Sequence, residues 1–527
     1  WKKLQTEAIS QKEFKARINK VCRIEHFLDH YGMVEQTGCI YAECEYGHLH
    51  ASNYSDVIIR NYKDFSVCPI GTRGIIQVVS VLPHSYPGHS LLTEDEGVIL
   101  GEDDCPCGRK GKYIQILGRM KNAELRGCSD TNSDDLHFLV GNYDILENMS
   151  KVPALKTFSK CSMDFFSNLS KEILKDRRSR KYVDVMSYAY WIRKASIENV
   201  KEKHLDRKNR IGRGVAFHIA PSNVPVNFAV SMTSSLLAGN ATIIRVSNKN
   251  FEQVDIICDA INKILCNQCK DMQCYLCLIR YEHSELITQE LSNMCDVRII
   301  WGGNNTINTI RKAALPSRAI EMAFADRYSL AVINSNTYLN ENLDEIAKRF
   351  YTDTYYSDQN ACSSPRLVVW LGDKVEEARG IFWKKMNEIV ENDYEMKPIQ
   401  AVDKFTSLSM LGMRYDGVRL VSDNNLVVRI EVDKLYPELM DYKNGGGYFF
   451  EYKASKLDDI VPVLTKQCQT ISVLGIDKQD ILDIVFKYGV RGVDRIVELG
   501  QTMALEFIWD GFKMIETMSR FIYSGGY

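Results

Sequence analysis

Cys362 stands in Asp358-Gln-Asn-Ala-Cys-Ser-Ser-Pro365, a polar stretch between a helical pattern at 341–351 and the apolar run Arg366 to Trp370. A thiol in such a loop is reachable by solvent and can be activated as a nucleophile, whereas a thiol inside a core strand is inert. Sixteen cysteines dilute that argument, because any one of them is more often structural. A second station is Ala220-Pro-Ser-Asn-Val-Pro225, between an apolar strand and a helix. There the Asn223 side-chain NH₂ can donate to a developing oxyanion, and helix capping by Ser222 and Asn223 is the plainer reading. Trp301-Gly302-Gly303-Asn304-Asn305-Thr306 follows a strand and opens a helix, which places its backbone N–H groups to face a pyrophosphate. Neither GxGxxG nor a Walker A sequence occurs, so a standard Rossmann fingerprint and a P-loop are both unsupported.

The remaining clusters read as structural. Cys266-x-x-Cys269 and Cys274-x-x-Cys277 have a zinc-ligand spacing, but the second pair falls in a predicted strand, where residues i and i+3 face opposite sides. Cys105-Pro-Cys107-Gly with Cys128 is another structural thiol cluster, and no metal is assigned. The basic run Lys175 to Lys181 reads as a solvated helix face.

The stations need elements to hold them. Gly214 to Ile219 is a continuous apolar strand, Pro225 to Leu237 a helix closed by Gly239-Asn240, and Ala241 to Val246 the next strand. Helix 251–265, strand Gln273 to Ile279, helix 284–293 and strand Asp296 to Trp301 continue an alternation that implies a doubly wound parallel sheet. The stretch Phe158 to Val200 is helix-rich, and Phe14 to Leu28 is helix-like. From Tyr41 to about Leu117 short β-rich runs alternate with turns, the pattern of an antiparallel region. Ser129-Asp-Thr-Asn-Ser-Asp-Asp135 has no apolar residue and reads as a linker at the main boundary, giving the part beyond it its own core.

At 527 residues, 45% hydrophobic and 25% charged, the chain has the composition of a globular protein with room for several domains. A net charge of −2 supplies no long-range field toward nucleic acid or an anionic membrane. No apolar run of about 18 residues and no signal-like start is present, so a cytoplasmic protein with reduced thiols is expected. Opening on Trp1 rather than Met points to a fragment or a processed chain.

From about Asn142 to Ile522 the chain resembles the fatty acyl-CoA reductase family of bacterial bioluminescence, a branch of the aldehyde dehydrogenase superfamily. The resemblance rests on Gly212-Arg-Gly-Val-Ala-Phe-His-Ile-Ala-Pro-Ser-Asn-Val-Pro225, on Leu236 to Ser247, on Asp358 to Pro365 and on Gly489-Val-Arg-Gly-Val-Asp-Arg-Ile-Val497. The first 130 residues look like the C-terminal part of the partner acyl-protein synthetase, similar to adenylate-forming ligases. Tyr31-Gly-Met-Val-Glu-Gln-Thr37 resembles the adenine-site motif, Thr93-Glu-Asp-Glu-Gly97 the ribose-binding turn, and Gly118-Arg-Met-Lys-Asn122 the hinge. The remnant site residues are thus Tyr31, Glu35, Asp95 and Lys121, without the Gly-rich phosphate loop that should precede them.

These likenesses imply an α/β architecture: a doubly wound dinucleotide-binding domain, a catalytic α/β domain, and an N-terminal α+β adenylate-forming fragment. The implied domains are 1–137, 138–325, 326–490, and 491–527 returning to the dinucleotide-binding and oligomerisation region. Cys362 would carry the acyl group, Asn223 and the Cys362 N–H would hold the oxyanion, and Glu321 would donate a proton. Cofactor contacts would come from Pro221, Ser222, Arg245, Ser247, Asn248, Lys249, Gly302 and Gly303. Asn248 and Lys249 replace an acidic residue common in NAD-specific relatives, which favours NADPH, with NADH as the alternative. The implied substrate is an acyl-CoA or acyl-protein thioester, the implied partner a missing synthetase half or subunit, and the implied assembly a homo-oligomer. Rivals are a CoA-acylating dehydrogenase acting on short aldehydes and a catalytically silent scaffold.

Overall fold

The computed structural model describes residues 11–24, 28–33, 36, 39–83, 88–120, 136–203, 209–282, 284–422 and 424–523. The expected linker at 129–135 lies outside them. The chain divides into two compact units, one made of 1–129, 338–359 and 366–455, the other of 130–337, 360–365 and 456–527.

In the first unit the N-terminal segment forms a seven-stranded antiparallel sheet. Its order runs His30–Gly32, Ile40–Glu43, Leu49–His50, Lys112–Arg119, Ser90–Glu102, Gly74–Ser80, Ser55–Arg60. Alternation of the apolar residues buries Val57, Ile59, Ile76, Val78, Ile99 and Ile114 on one face, as the period of two requires. The helix expected over Phe14 to Leu28 is shorter, Gln11–Cys22, and the backbone leaves it at Arg23 with φ 56°. Residues 338–359 and 366–455 pack in the same unit around Trp370, Phe382, Trp383 and Phe449, beside the parallel strands Pro365–Leu371, Tyr448–Lys453 and Val428–Val432. The N-terminal segment touches this region directly. Asn425 Nδ2 donates to the Tyr62 carbonyl at 3.0 Å, and the Phe65 and Phe405 rings meet edge to face at 5.6 Å.

The second unit holds the doubly wound sheet. Its order is Ile320–Phe324, Val297–Trp301, Val215–Ile219, Ala241–Arg245, Leu276–Arg280, with His137–Val140 as an antiparallel edge. The five other strands are parallel and, in Val215–Ile219 and Val297–Trp301, buried at every position, which is why they read as unbroken apolar runs. Helices Asn227–Ala238, Glu252–Asn267 and Glu285–Met294 make the crossovers. The first ends at Gly239, whose φ is 94° and where an added Cβ would meet the Leu155 carbonyl at 2.0 Å, so only glycine fits. The predicted strand Gln273 to Ile279 starts late. A 3₁₀ helix occupies Lys270–Tyr275 and the strand is Leu276–Arg280, leaving Cys274 exposed and Cys277 buried. A second parallel run, Tyr328–Asn334, Cys468–Leu474 and Arg495–Glu498, completes the unit, and Ser519–Phe521 returns to pair with Arg210–Gly212.

Candidate active site

Strand Val215–Ile219 is followed in sequence by Ala241–Arg245 on one side, while Val297–Trp301 lies on its other side. The chain reverses direction of winding there, and the carboxyl ends flanking such a point form the ligand crevice of doubly wound sheets. Register fixes what lies at that edge. Ile219 pairs with Arg245 and with Ile300, so Pro221, Ser222 and Asn223, then Ser247, Asn248 and Lys249, then Gly302 and Gly303 all emerge at the same end of the sheet.

Asn223 is exposed in the loop before helix Asn227–Ala238. The N-cap of that helix is Val226, with no side-chain capping bond, so the plainer reading of Ser222 and Asn223 as caps does not hold. Arg245 lies with its guanidinium 4.6 Å over the Tyr281 ring and donates to the Tyr281 carbonyl at 3.3 Å. Asn248 Nδ2 donates to the same carbonyl at 3.2 Å. Tyr281, just past the strand Leu276–Arg280, therefore organises this edge, and nothing in its local sequence announces it. The Arg245 Nε is buried without a hydrogen-bond partner, while Lys249 is exposed.

The Gly-Gly turn differs from expectation. The Gly302 N–H donates to the Phe324 carbonyl at 3.2 Å and is not offered to a pyrophosphate. The apolar neighbours explain this: Trp301 stacks on Phe324 at 3.8 Å and its Nε1 donates to Ser231 Oγ at 3.0 Å. Ser231 Oγ also shares a hydrogen bond of 2.6 Å with His218 Nδ1. Burial pushes the His218 pKa down to about 3, which agrees with a neutral ring under the site.

Cys362 sits in a turn between the 3₁₀ helix Tyr355–Ser357 and strand Pro365–Leu371, half-buried. Its carbonyl accepts from Ser329 Oγ at 2.7 Å, and that same oxygen accepts from the Thr470 N–H at 3.1 Å. Ser329 is fully buried at the start of the strand Tyr328–Asn334. It ties the cysteine turn to two strands, a positioning role the sequence did not reveal. Upstream, Asp358 and Gln359 take left-handed φ of 52° and 58°, a strained entry that the Gln359 side chain secures by accepting from the Gly447 and Tyr448 N–H groups at 3.0 Å each. Ser329→Ala is expected to cost about 1–3 kcal/mol by removing the acceptor of the buried Thr470 N–H and the tie to the Cys362 turn, and to slow acylation while leaving substrate KM near its original value. Thermal melts and pre-steady-state acylation check it, and an unchanged acylation rate removes the positioning role.

Glu321 is a correction. It lies on the strand Ile320–Phe324 with both oxygens taken: Oε2 accepts from Arg298 at 2.5 and 2.9 Å, and Oε1 from Arg311 at 2.6 Å. Arg298 is itself buried and also bonded to the Ile310 and Ala313 carbonyls. Three of the carboxylate's acceptor positions are occupied by the Arg298 and Arg311 guanidinium groups, so in place of the expected proton donor Glu321 is found as the ion-pair partner of a buried arginine. Glu321→Ala is expected to lower stability by about 3–5 kcal/mol, because Arg298 stays buried and unpaired, without altering the pH profile of kcat. Denaturant melts and a pH–rate series test this. Loss of one limb of the profile at unchanged stability restores the catalytic role.

In the N-terminal segment, Tyr31 and Asp95 are brought together: the phenol donates to Asp95 Oδ2 at 2.9 Å. Burial, then the Asp95 charge, raises the Tyr31 pKa well above the usual tyrosine range. Glu35 and Lys121 lie outside the described residues.

A parallel sheet with its crevice at the Asn223 loop, joined in one unit to a cysteine-bearing turn, is the aldehyde dehydrogenase architecture. The chain is similar to aldehyde dehydrogenase 21 from Physcomitrella patens, with TM-score 0.53 and 11% identity over 72% of this chain and 88% of that one. It is likewise similar to an NAD-dependent benzaldehyde dehydrogenase from Corynebacterium glutamicum, with TM-score 0.51 and 13% identity over 74% of this chain and 95% of that one. Within that class, the acyl-CoA reductase (LuxC) family matches residues 160–430, and the chain belongs to it. Residues 1–137 match the acyl-protein synthetase (LuxE) family. Long-chain acyl-protein thioester reductases of Vibrio harveyi and Photorhabdus luminescens are each 24% identical to it, over 59% and 55% of this chain. The matches span 64% and 58% of those relatives' lengths.

Proposed function

We propose that the chain reduces a long-chain acyl thioester to the aldehyde through an acyl-cysteine on Cys362. The observation that supports this most is the Cys362 turn, half-buried and fastened by Ser329. Such a turn holds a nucleophilic sulfur in fixed geometry. The relatives' names give the substrate class, a long-chain acyl group held as a protein thioester.

A nicotinamide nucleotide fits the residues at the sheet edge: the buried Arg245 Nε lacks a partner, and Lys249 is exposed nearby in sequence. Arg245, Ser247, Asn248 and Lys249 would hold its adenosine ribose and 2′-phosphate, with no carboxylate between 245 and 250 to oppose that charge, which favours NADPH. When bound, such a nucleotide supplies hydride. The protein does the rest. The Cys362 sulfur attacks the thioester carbonyl, and the Asn223 NH₂ with the Cys362 N–H stabilises the oxyanion. The leaving thiol departs, and after reduction the hemithioacetal collapses to free the aldehyde and restore the cysteine. The test is a spectrophotometric assay of NADPH and NADH oxidation with acyl-CoA substrates of graded chain length. Turnover rising with chain length and a lower KM for NADPH are expected; activity confined to short chains would favour the short-aldehyde dehydrogenase.

A further inference from the structure

The antiparallel N-terminal sheet assembles a cluster that the sequence scatters over more than sixty positions. The turn Cys44–His48 joins strands Ile40–Glu43 and Leu49–His50, and the loop carrying Cys105 and Cys107 joins Ser90–Glu102 to Lys112–Arg119. Leu49 and His50 pair with Ile114 and Tyr113, so the two connections lie at one end of the sheet. Ligand atoms of Cys44, His50, Cys105 and Cys107 all fall within 4.8 Å of one another.

We propose that Cys44, His50, Cys105 and Cys107 form a structural zinc site. Four ligands around zinc, with Zn–S about 2.3 Å and Zn–N about 2.0 Å, leave tetrahedral edges of about 3.8 Å between sulfurs and about 3.5 Å between sulfur and nitrogen. The structure gives 4.0 Å for Cys44 Sγ to Cys105 Sγ and 3.4 Å for Cys107 Sγ to His50 Nε2. A disulfide needs sulfurs at about 2.05 Å, so Cys44 and Cys105 are spaced for a shared ion and not for a bond between them.

The surroundings match a metal knuckle. The Cys44 sulfur accepts from the Tyr46 and His48 N–H groups, and the Cys105 sulfur from the Cys107 N–H. Such bonds orient thiolates. Both turns close on glycine or a tight hydrogen bond: Gly47 N–H to the Cys44 carbonyl at 2.9 Å, and Gly108 N–H to the Cys105 carbonyl at 3.0 Å, with φ of 79° and 81° at the glycines. The His50 ring is steadied by stacking on Tyr113 at 5.5 Å, and its Nδ1 is buried without a hydrogen-bond partner. His48 donates to or accepts from the Cys105 sulfur at 3.2 Å as an outer neighbour. Three thiolates and one imidazole suit zinc, and four protein ligands close the coordination sphere, which makes the role structural. Binding releases the thiol protons and ties the two connections together. Cys266, Cys269, Cys274 and Cys277 form no such group among the described residues, and the proposed site departs from the sequence expectation of no metal.

The test uses the 527-residue chain produced with zinc and purified without chelator. Elemental analysis is expected to find about one zinc per chain, retained through desalting and released by a mercurial thiol reagent. Cys105→Ser/Cys107→Ser should lose it, while Cys266→Ser/Cys274→Ser should keep it. Because the first variant can misfold, cobalt is also loaded into metal-stripped wild type. Intense thiolate-to-cobalt charge-transfer bands with tetrahedral d–d absorption are expected. Absence of zinc from wild type, zinc retained by Cys105→Ser/Cys107→Ser, loss in Cys266→Ser/Cys274→Ser, or a cobalt spectrum without thiolate bands each overturns the assignment.

Discussion

Replacing Cys362 with alanine is expected to abolish acyl transfer, lowering aldehyde formation by at least about 10³-fold while the melting temperature holds. Many of the other thiols do not compete on equal terms. Burial pushes Cys258, Cys277, Cys295 and Cys468 up to about 12, so they stay protonated at neutral pH and cannot attack. Cys44, Cys105 and Cys107 belong to the cluster at the end of the N-terminal sheet. Cys266 and Cys274 are exposed but sit at the end of a helix and in a 3₁₀ turn, away from any strand's carboxyl edge. Labelled acyl-CoA followed by peptide mapping should place the label on Cys362. Label persisting in Cys362→Ala would transfer the role to another thiol.

What the sequence disclosed follows a physical division. Strands such as Val215–Ile219 are buried on both faces, and their unbroken apolar runs, separated by Asn227–Ala238 and the left-handed Gly239, signal the parallel sheet without any contact being known. The loops at the strand ends are legible for the same reason, which is why Asn223 and Cys362 stand out as candidates, whereas Arg245 stands out only through the family resemblance. Partners contributed from afar could not. Ser329 reaches Cys362 across 33 positions, Tyr281 receives Arg245 across 36, and Arg298 takes Glu321 from the neighbouring parallel strand. Each of these is an ordinary residue until the fold delivers its partner. Glu321 shows the reverse error: a position that resembles a catalytic one is bonded away by arginines that the resemblance does not cover. The cluster proposed to bind zinc was not legible because Cys44 and His50 join Cys105 and Cys107 only through antiparallel pairing.

Asn223 is the second residue whose loss should be large, and its environment makes the experiment clean. The side chain is exposed and caps no helix, so Asn223→Ala should change stability by no more than about 0.5 kcal/mol. If Asn223 is the proposed oxyanion donor, the rate should nevertheless fall by on the order of 10²–10³, because charge develops on the carbonyl oxygen in that step. Substrate KM should hardly move, since the ground-state carbonyl takes little from that donor. Asn223→Asp sharpens the argument: it keeps the size but places a carboxylate where negative charge must form, and should be slower still than alanine. Steady-state kinetics of the two variants decide the matter. Equal turnover in wild type and Asn223→Ala would leave the Cys362 N–H without its proposed companion, and an aspartate variant faster than the alanine one would mean that the side chain acts on the leaving group instead.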